Sequence, residues 1–217
     1  RFRAARMNLG RVYLMQERTG DAIALYRQLA ADGQADAPIL MLLGHALLME
    51  DAPVSAETAY RQALLLRPKH AETMEGLAKA LLRQERYAEG LALAGELLRE
   101  VPLNGSLWSL RAHACLAMDR QGEAARALES ARRLGCADPE MLATLGDLYL
   151  HRELPADALR VYLEAFDRED PSVARLLRAA EGFLLTGSPE EAGRMLERAE
   201  RLRTADPGLF DAAQGLT

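Results

Sequence analysis

Lysine is nearly missing from this chain. Lys69 and Lys79 are the only two among 27 basic residues, and the other 25 are arginine. The arginines are scattered along the whole length, so the bias reads as GC-rich coding, and hence a bacterial source, before it reads as anion binding. The formal net charge is -5. No basic stripe is present, which excludes an ordinary nucleic-acid surface, and no run of like charge forms an acidic tail. No apolar run of about 18 residues occurs, so no transmembrane helix and no direct membrane insertion are expected. Only two cysteines occur, Cys115 and Cys136, without metal-ligand spacing. Aromatics make up just 5%, so bulk must come from aliphatic residues. No secretory leader is read at the start, but the chain opens at Arg1 and the compartment stays open.

What is present is alanine and leucine, a composition suited to helices packed closely through small residues. It is organised by a repeat. Leu9-Gly10 returns at one constant step as Leu43-Gly44, then as Leu77-Ala78, Arg111-Ala112, Leu145-Gly146 and Ala179-Ala180. A second small column runs Ala22, Ala56, Gly90, Ala124, Ala158, Ala192. A third runs Tyr13, Leu47, Leu81, Cys115, Tyr149, Phe183. Six copies fit one frame without insertion: 3–36, 37–70, 71–104, 105–138, 139–172 and 173–206. Residues 207–217, with Phe210 in the bulky column, read as the start of a seventh copy or a capping helix.

Each copy holds two stretches with apolar residues at helical spacing and none that reads as strand, so the fold class is all-α. In the fifth copy they run from about Glu140 to His151 and from about Pro155 to Asp167. Asp138-Pro139, Asp170-Pro171 and Asp206-Pro207 each place a capping acid before a proline suited to a first helical turn. Ser188-Pro189-Glu190-Glu191 has capping-box spacing. Two antiparallel helices approach closely only where a side chain is nearly absent. Gly10, Gly44, Ala78, Ala112, Gly146 and Ala180 are therefore expected at the crossing. The Ala22 column should supply the matching small face, with Tyr13 and Tyr26 filling the sides. One such pair cannot bury its apolar face alone, whereas stacked copies can.

The pattern resembles the tetratricopeptide repeat family: a bulky residue, Leu-Gly, an aromatic, Ala, an aromatic, Ala and Pro over about 34 residues. The bulky column here is Arg6, Leu40, Met74, Trp108, Leu142, Leu176, and the late small column is Leu29, Ala63, Leu97, Ala131, Ala165, Ala199. The closing proline appears as Pro68 and Pro102, with Gln34, Cys136, Asp170 and Thr204 elsewhere. Arg111 stands where leucine is expected. The resemblance implies a right-handed superhelical solenoid in which the first helix of each pair lines a concave groove. With both ends reading as cut, a longer parent array is expected.

Under that resemblance the groove residues are Met7, Arg11, Leu14 and Met15 in the first copy, and Met41, His45, Leu48 and Met49 in the second. The third supplies Glu75, Lys79, Leu82 and Arg83, and the fourth Ser109, His113 and Leu116. The fifth supplies Ala143, Asp147, Leu150 and His151, and the sixth Leu177, Glu181, Leu184 and Leu185. Arg11, His45, Lys79, His113, Asp147 and Glu181 share one column, basic at one end and acidic at the other, which would orient a partner. The bland reading is a solvated polar column. Met7, Met15, Met41 and Met49 offer adaptable apolar contacts, or else ordinary packing. The lysine and asparagines of the family's chaperone-tail clamp are missing at Met7 and Arg11. The asparagine ladder of its glycosyltransferases survives only at Asn8, since that column continues Leu42, Gly76, Leu110, Thr144, Arg178.

No chemistry emerges beside this. His45 and His113 lie two copies apart, too far for one ion, and His70 falls between copies, so no metal and no cofactor are expected. Cys115 reads as a buried thiol, and Cys136 belongs at the opposite end of its helix pair, so two thiols without a disulfide are expected. Thr186–Gly193 has glycines but no following lysine and no preceding strand, so it is no phosphate loop. No nucleophile–base pair appears, and no enzyme is expected. The reading is a non-catalytic scaffold that grips a peptide, helix or small domain of a partner protein. Its setting would be a bacterial export or assembly machine, for exopolysaccharide or pili, with the periplasm as leading compartment and the cytoplasm as alternative. Rival readings are an interaction arm of a larger enzyme such as a transferase, and self-association through the repeat ends.

Overall fold

The computed structural model describes residues 2–34 and 36–205. Among them the chain forms twelve α-helices and no strand. They are α1 (Phe2–Met15), α2 (Thr19–Leu29, running on into a π-helical turn, Ala30–Gln34), α3 (Ala37–Met49), α4 (Pro53–Leu66), α5 (Ala71–Arg83) and α6 (Tyr87–Glu100). After them come α7 (Gly105–Ala117), α8 (Gln121–Arg133), α9 (Pro139–His151), α10 (Pro155–Phe166), α11 (Val173–Leu185) and α12 (Pro189–Ala205). Two compact units divide the chain, one holding α1–α7 and the other α8–α12. The dividing line, between Arg120 and Gln121, falls inside the fourth copy of the repeat. Asp206-Pro207 and the stretch 207–217 with Phe210 lie outside the described residues.

Within each unit every helix packs on its neighbours in the chain, and the first helices of successive pairs lie side by side: α3 beside α5 and α5 beside α7 in the first unit, α9 beside α11 in the second. Short polar side chains start several helices. Asp36 accepts from the Ile39 amide, Asn104 from Leu107 and Asp138 from Met141, at 3.1, 3.2 and 2.8 Å, each satisfying an orphan donor of the first turn. The expected Asp170-Pro171 start is displaced. α11 begins at Val173, and the Ser172 hydroxyl takes the Arg175 amide. Asp170 instead pairs with Arg198 at 2.9 Å.

The turn inside each pair is repeated six times. Glu17, Asp51, Glu85, Asp119, Glu153 and Gly187, each one copy from the next, all have left-handed backbone, with φ between 53 and 75°. The next amide returns to a carbonyl of the last helical turn: Arg18 to Tyr13, Ala52 to Leu47, Arg86 to Leu81, Arg120 to Cys115, Leu154 to Tyr149 and Ser188 to Phe183, at 2.8–3.0 Å. This Schellman closure stops the first helix and reverses the chain. Five of the six positions carry an acid where glycine would be unstrained.

The small residues sit at the crossings, but their space is filled differently from the expectation. A Cβ on Gly10 would stand 2.5 Å from the Tyr26 ring, one on Gly44 2.6 Å from Tyr60, and one on Gly146 2.6 Å from Tyr162. The tyrosine of the second helix lies across the glycine of the first, rather than beside a matched small face. The three rings are fully buried. In the third pair, where Ala94 replaces the tyrosine, Leu82 lies over Gly90, whose Cβ would also meet the Ala78 carbonyl at 3.3 Å. Backbones therefore do approach closely there. Arg111 is half-buried and lays its guanidinium 5.8 Å from the Trp108 ring centre, so a cation–π contact accommodates it where the family pattern has leucine.

Candidate functional site: the wall of first helices

The adjacent first helices make one wall in each unit, and side chains one copy apart touch across it. In the first unit Arg83 pairs with Asp51 at 3.0 Å and Ser106 donates to Glu75 at 2.8 Å. In the second unit Arg178 pairs with Asp147 at 3.7 Å.

On the first wall Met15 and Met49 are 85% and 56% exposed. Arg11, Lys79, Arg83 and His113 are exposed, and Met7, Leu14, His45, Leu48, Glu75 and Leu116 are half-buried. Met41 and Leu82 differ from the expected groove lining. They are 7% and 6% exposed, packed among core residues such as Leu42 and Leu77 for the one and Ala94 and Leu110 for the other. Their side chains serve the packing of neighbouring pairs and leave almost no surface for a ligand. On the second wall Ala143 is buried in the same way, Asp147 is half-buried, and His151 and Glu181 are exposed. Leu184 and Leu185 are exposed beside Glu181.

Formal charges in the basic-to-acidic column are largely met by neighbours. Glu75 takes Lys79 at 2.7 Å and is held below its usual carboxylate range by Lys79, Ser106 and Asn104, against the opposing pull of burial. Asp147 accepts from the Tyr162 hydroxyl at 2.5 Å, and Arg178 lies between Asp147 and Glu181, 3.2 Å from the latter. Burial lowers the pKa of His45, so its imidazole stays neutral near pH 7. His113 lies edge-on to Tyr87 at 6.3 Å. Arg11 makes no ion pair among the described residues. The first wall thus carries two exposed methionines, with Arg11 one turn before Met15.

His70 lies at the start of α5, its Nδ1 2.9 Å from the hydroxyl of buried Thr73. Cys115 is buried and Cys136 exposed, both as thiols. Among the described residues no group of three or more His, Cys, Asp or Glu could hold a metal ion, and no helix is long and apolar enough to cross a membrane. Sequence reasoning missed the arginine bridge at Arg178 and the tyrosine hydroxyls under the wall. The constant spacing of Gly10 and Tyr26, Gly44 and Tyr60, and Gly146 and Tyr162 was the signal that could have found the latter.

Antiparallel helix pairs in one repeating frame, each closed by the same left-handed turn and crossed at a glycine or alanine, define a helical-hairpin repeat protein. Tetratricopeptide repeat models match residues 1–38 and 47–114, and the chain belongs to the tetratricopeptide repeat family. Solved structures agree. The structure of Pseudomonas aeruginosa pilF is 21% identical and has a TM-score of 0.79 over 95% of this chain and 92% of that one. MamA from Desulfovibrio magneticus is 18% identical, with a TM-score of 0.68 over 77% and 97%. A thermophilic repeat protein of Thermus thermophilus is 19% identical, with 0.60 over 83% and 98%. At these identities the likeness establishes the fold. No curated protein matches the chain. The fold is that of an interaction scaffold.

Proposed function

We propose that the chain is a non-catalytic scaffold whose first wall holds a segment of a partner protein. The observation that carries this is the exposure of Met15 and Met49, large apolar side chains at the same position of the first helices of two successive copies, with Arg11 one turn before Met15. Methionine is flexible and polarisable, so the same exposed position in successive copies suits an adaptable apolar contact. A partner segment with apolar residues for the methionines and an acid for Arg11 suits it. The wider setting we propose, a bacterial export or assembly machine in the periplasm, rests on association with the family and on no residue. Photo-cross-linking amino acids at Met15 and Met49, compared with Leu163 on a second helix of the other unit, test the wall in cells of the source organism. Discrete protein adducts from Met15 and Met49 are expected. Adducts from Leu163 alone, or from no position, would remove the wall reading.

A second reading, self-association through the first pair, is favoured by Leu9 and Val12, which are 42% and 43% exposed on α1 while their counterparts Leu43, Leu77, Ala46 and Ala80 are buried. Light scattering checks it: mass that rises with concentration, and stays monomeric in Leu9→Glu, is the expected signature. A monomer at every concentration excludes it.

A further inference from the structure

Three tyrosines cross from the second-helix layer to the first, and only one ends without a partner. Tyr26 donates to the Met7 carbonyl at 3.4 Å, and Tyr162 donates to Asp147 at 2.5 Å. Tyr60, fully buried, carries the one buried side-chain oxygen among the described residues that has no hydrogen bond. Buried hydroxyls are normally paired, so an orphan demands a reason. The reason lies in two neighbours. The position that is Asp147 in the fifth copy is His45 in the second, and the position that is Arg178 in the sixth is Gly76 in the third. The acceptor and its arginine are both replaced.

The ring reaches the wall through a slot built by two glycines. A Cβ on Gly44 would lie 2.6 Å from one edge of the Tyr60 ring, and a Cβ on Gly76 would lie 2.5 Å from its Cζ and 2.8 Å from its hydroxyl. The ring therefore threads between α3 and α5, and the hydroxyl lies beside α5 at the depth of the first helices. His45 stands edge-on to the ring, with centroids 5.6 Å apart, half-buried and with no hydrogen bond among the described residues. Glu72, one turn before Gly76, is exposed with no ion pair among the described residues, and its charge is felt at both Tyr60 and His45.

We propose that Tyr60, His45 and Glu72 form a subsite for a carboxamide, the side chain of an asparagine or glutamine on the partner segment. The proposal rests on the wall reading above and names what one part of the wall recognises. A carboxamide carries both functions the site lacks: its carbonyl accepts from the Tyr60 hydroxyl, and its NH2 donates to the Glu72 carboxylate. A carboxylate is repelled by Glu72 and Glu75, and the nearby Lys79 is already committed to Glu75 at 2.7 Å. An ammonium group satisfies Glu72 but cannot accept the tyrosine proton. The hydroxyl is closed off without a ligand, so the carboxamide enters only with a local shift of the side chains around it. In the fifth copy Asp147 does internally what the partner would do here.

The test titrates the 15N-labelled chain with N-acetylglutamine methylamide, and separately with N-acetylglutamate methylamide. Saturable shifts of the His45 and Gly76 amides with the glutamine compound are expected, with the glutamate compound at least tenfold weaker. In Tyr60→Phe the glutamine response falls at least tenfold, while the melting temperature rises because the orphan hydroxyl is gone. No saturable shift, or an equal response in Tyr60→Phe, overturns the subsite and leaves the hydroxyl to a trapped water. Cross-linking at Met15 and Met49 separates the two ideas. Adducts without a glutamine response sink the subsite alone, and a glutamine response without adducts sinks the wall.

Discussion

Gly76→Leu is expected to destabilise the first unit by about 3 kcal/mol, and Tyr60→Ala by about 4 kcal/mol, yet the two together should cost about 2–3 kcal/mol less than their sum. The physical basis is an exchange of volume between adjacent copies. At one boundary a large Tyr60 is matched by Gly76, so any Cβ there strikes an aromatic ring on a fixed stem. At the next boundary the sizes are reversed, with Ala94 and Leu110 in one core cluster. The double variant Tyr60→Ala, Gly76→Leu imitates that second solution. Urea unfolding of the four proteins measures the coupling. Strict additivity would mean that Tyr60 and Gly76 do not share the same space, and the slot would have to be abandoned.

Glu129→Ala is expected to cost the second unit about 3 kcal/mol, because it strips a mostly buried arginine of its main partner. Glu129 takes two bonds from Arg132, at 2.8 and 2.9 Å, and one from Arg133 at 2.9 Å. Tyr149 adds a longer contact at 3.3 Å. Arg132 reaches on to Glu164 at 2.9 Å, which also takes Arg168 at 2.6 Å, and Arg168 donates to the Ala137 carbonyl at 2.7 Å. The chain of bonds joins α8 to α10 and to the segment before α9. Arg132 first, then Arg133, hold the Glu129 carboxyl at about 2, against the opposing pull of burial. A depressed carboxylate means that the unfolded chain binds the proton more readily. Its stabilisation is therefore complete above the ordinary value of 4.5 and is lost as pH falls towards about 2. Thermal melts of the chain between pH 6 and pH 2 should drop steeply across that window, and more gently in Glu129→Ala. A parallel drop in both would assign the acid sensitivity to other carboxylates.

Much of the architecture was legible in the residues. The repeat period, the paired helices and the position of the small residues need only local spacing, since residues three and four apart share a helical face whatever surrounds them. The starts at Asp138 and Pro155 were equally local. The start near Asp170 was not, because Ser172 competes for the cap and Arg198, 28 residues away, takes the aspartate. A column of six polar residues was visible as a column. Its charge was not, because Arg178 lies in the neighbouring column, and only packing brings it between Asp147 and Glu181.

The sequence by itself determined the all-α repeat, its pairing and the face each residue shares, because covalent spacing sets helical phase. Tertiary structure alone decided depth. Met41 and Met49 lie two turns apart on one helix, yet one is buried and the other exposed, because only Met41 falls where the core cluster of the adjoining helices receives it. It also decided which tyrosine hydroxyl finds an acceptor. That depends on the side chain an adjacent copy places beside the ring, a proximity that no periodicity encodes.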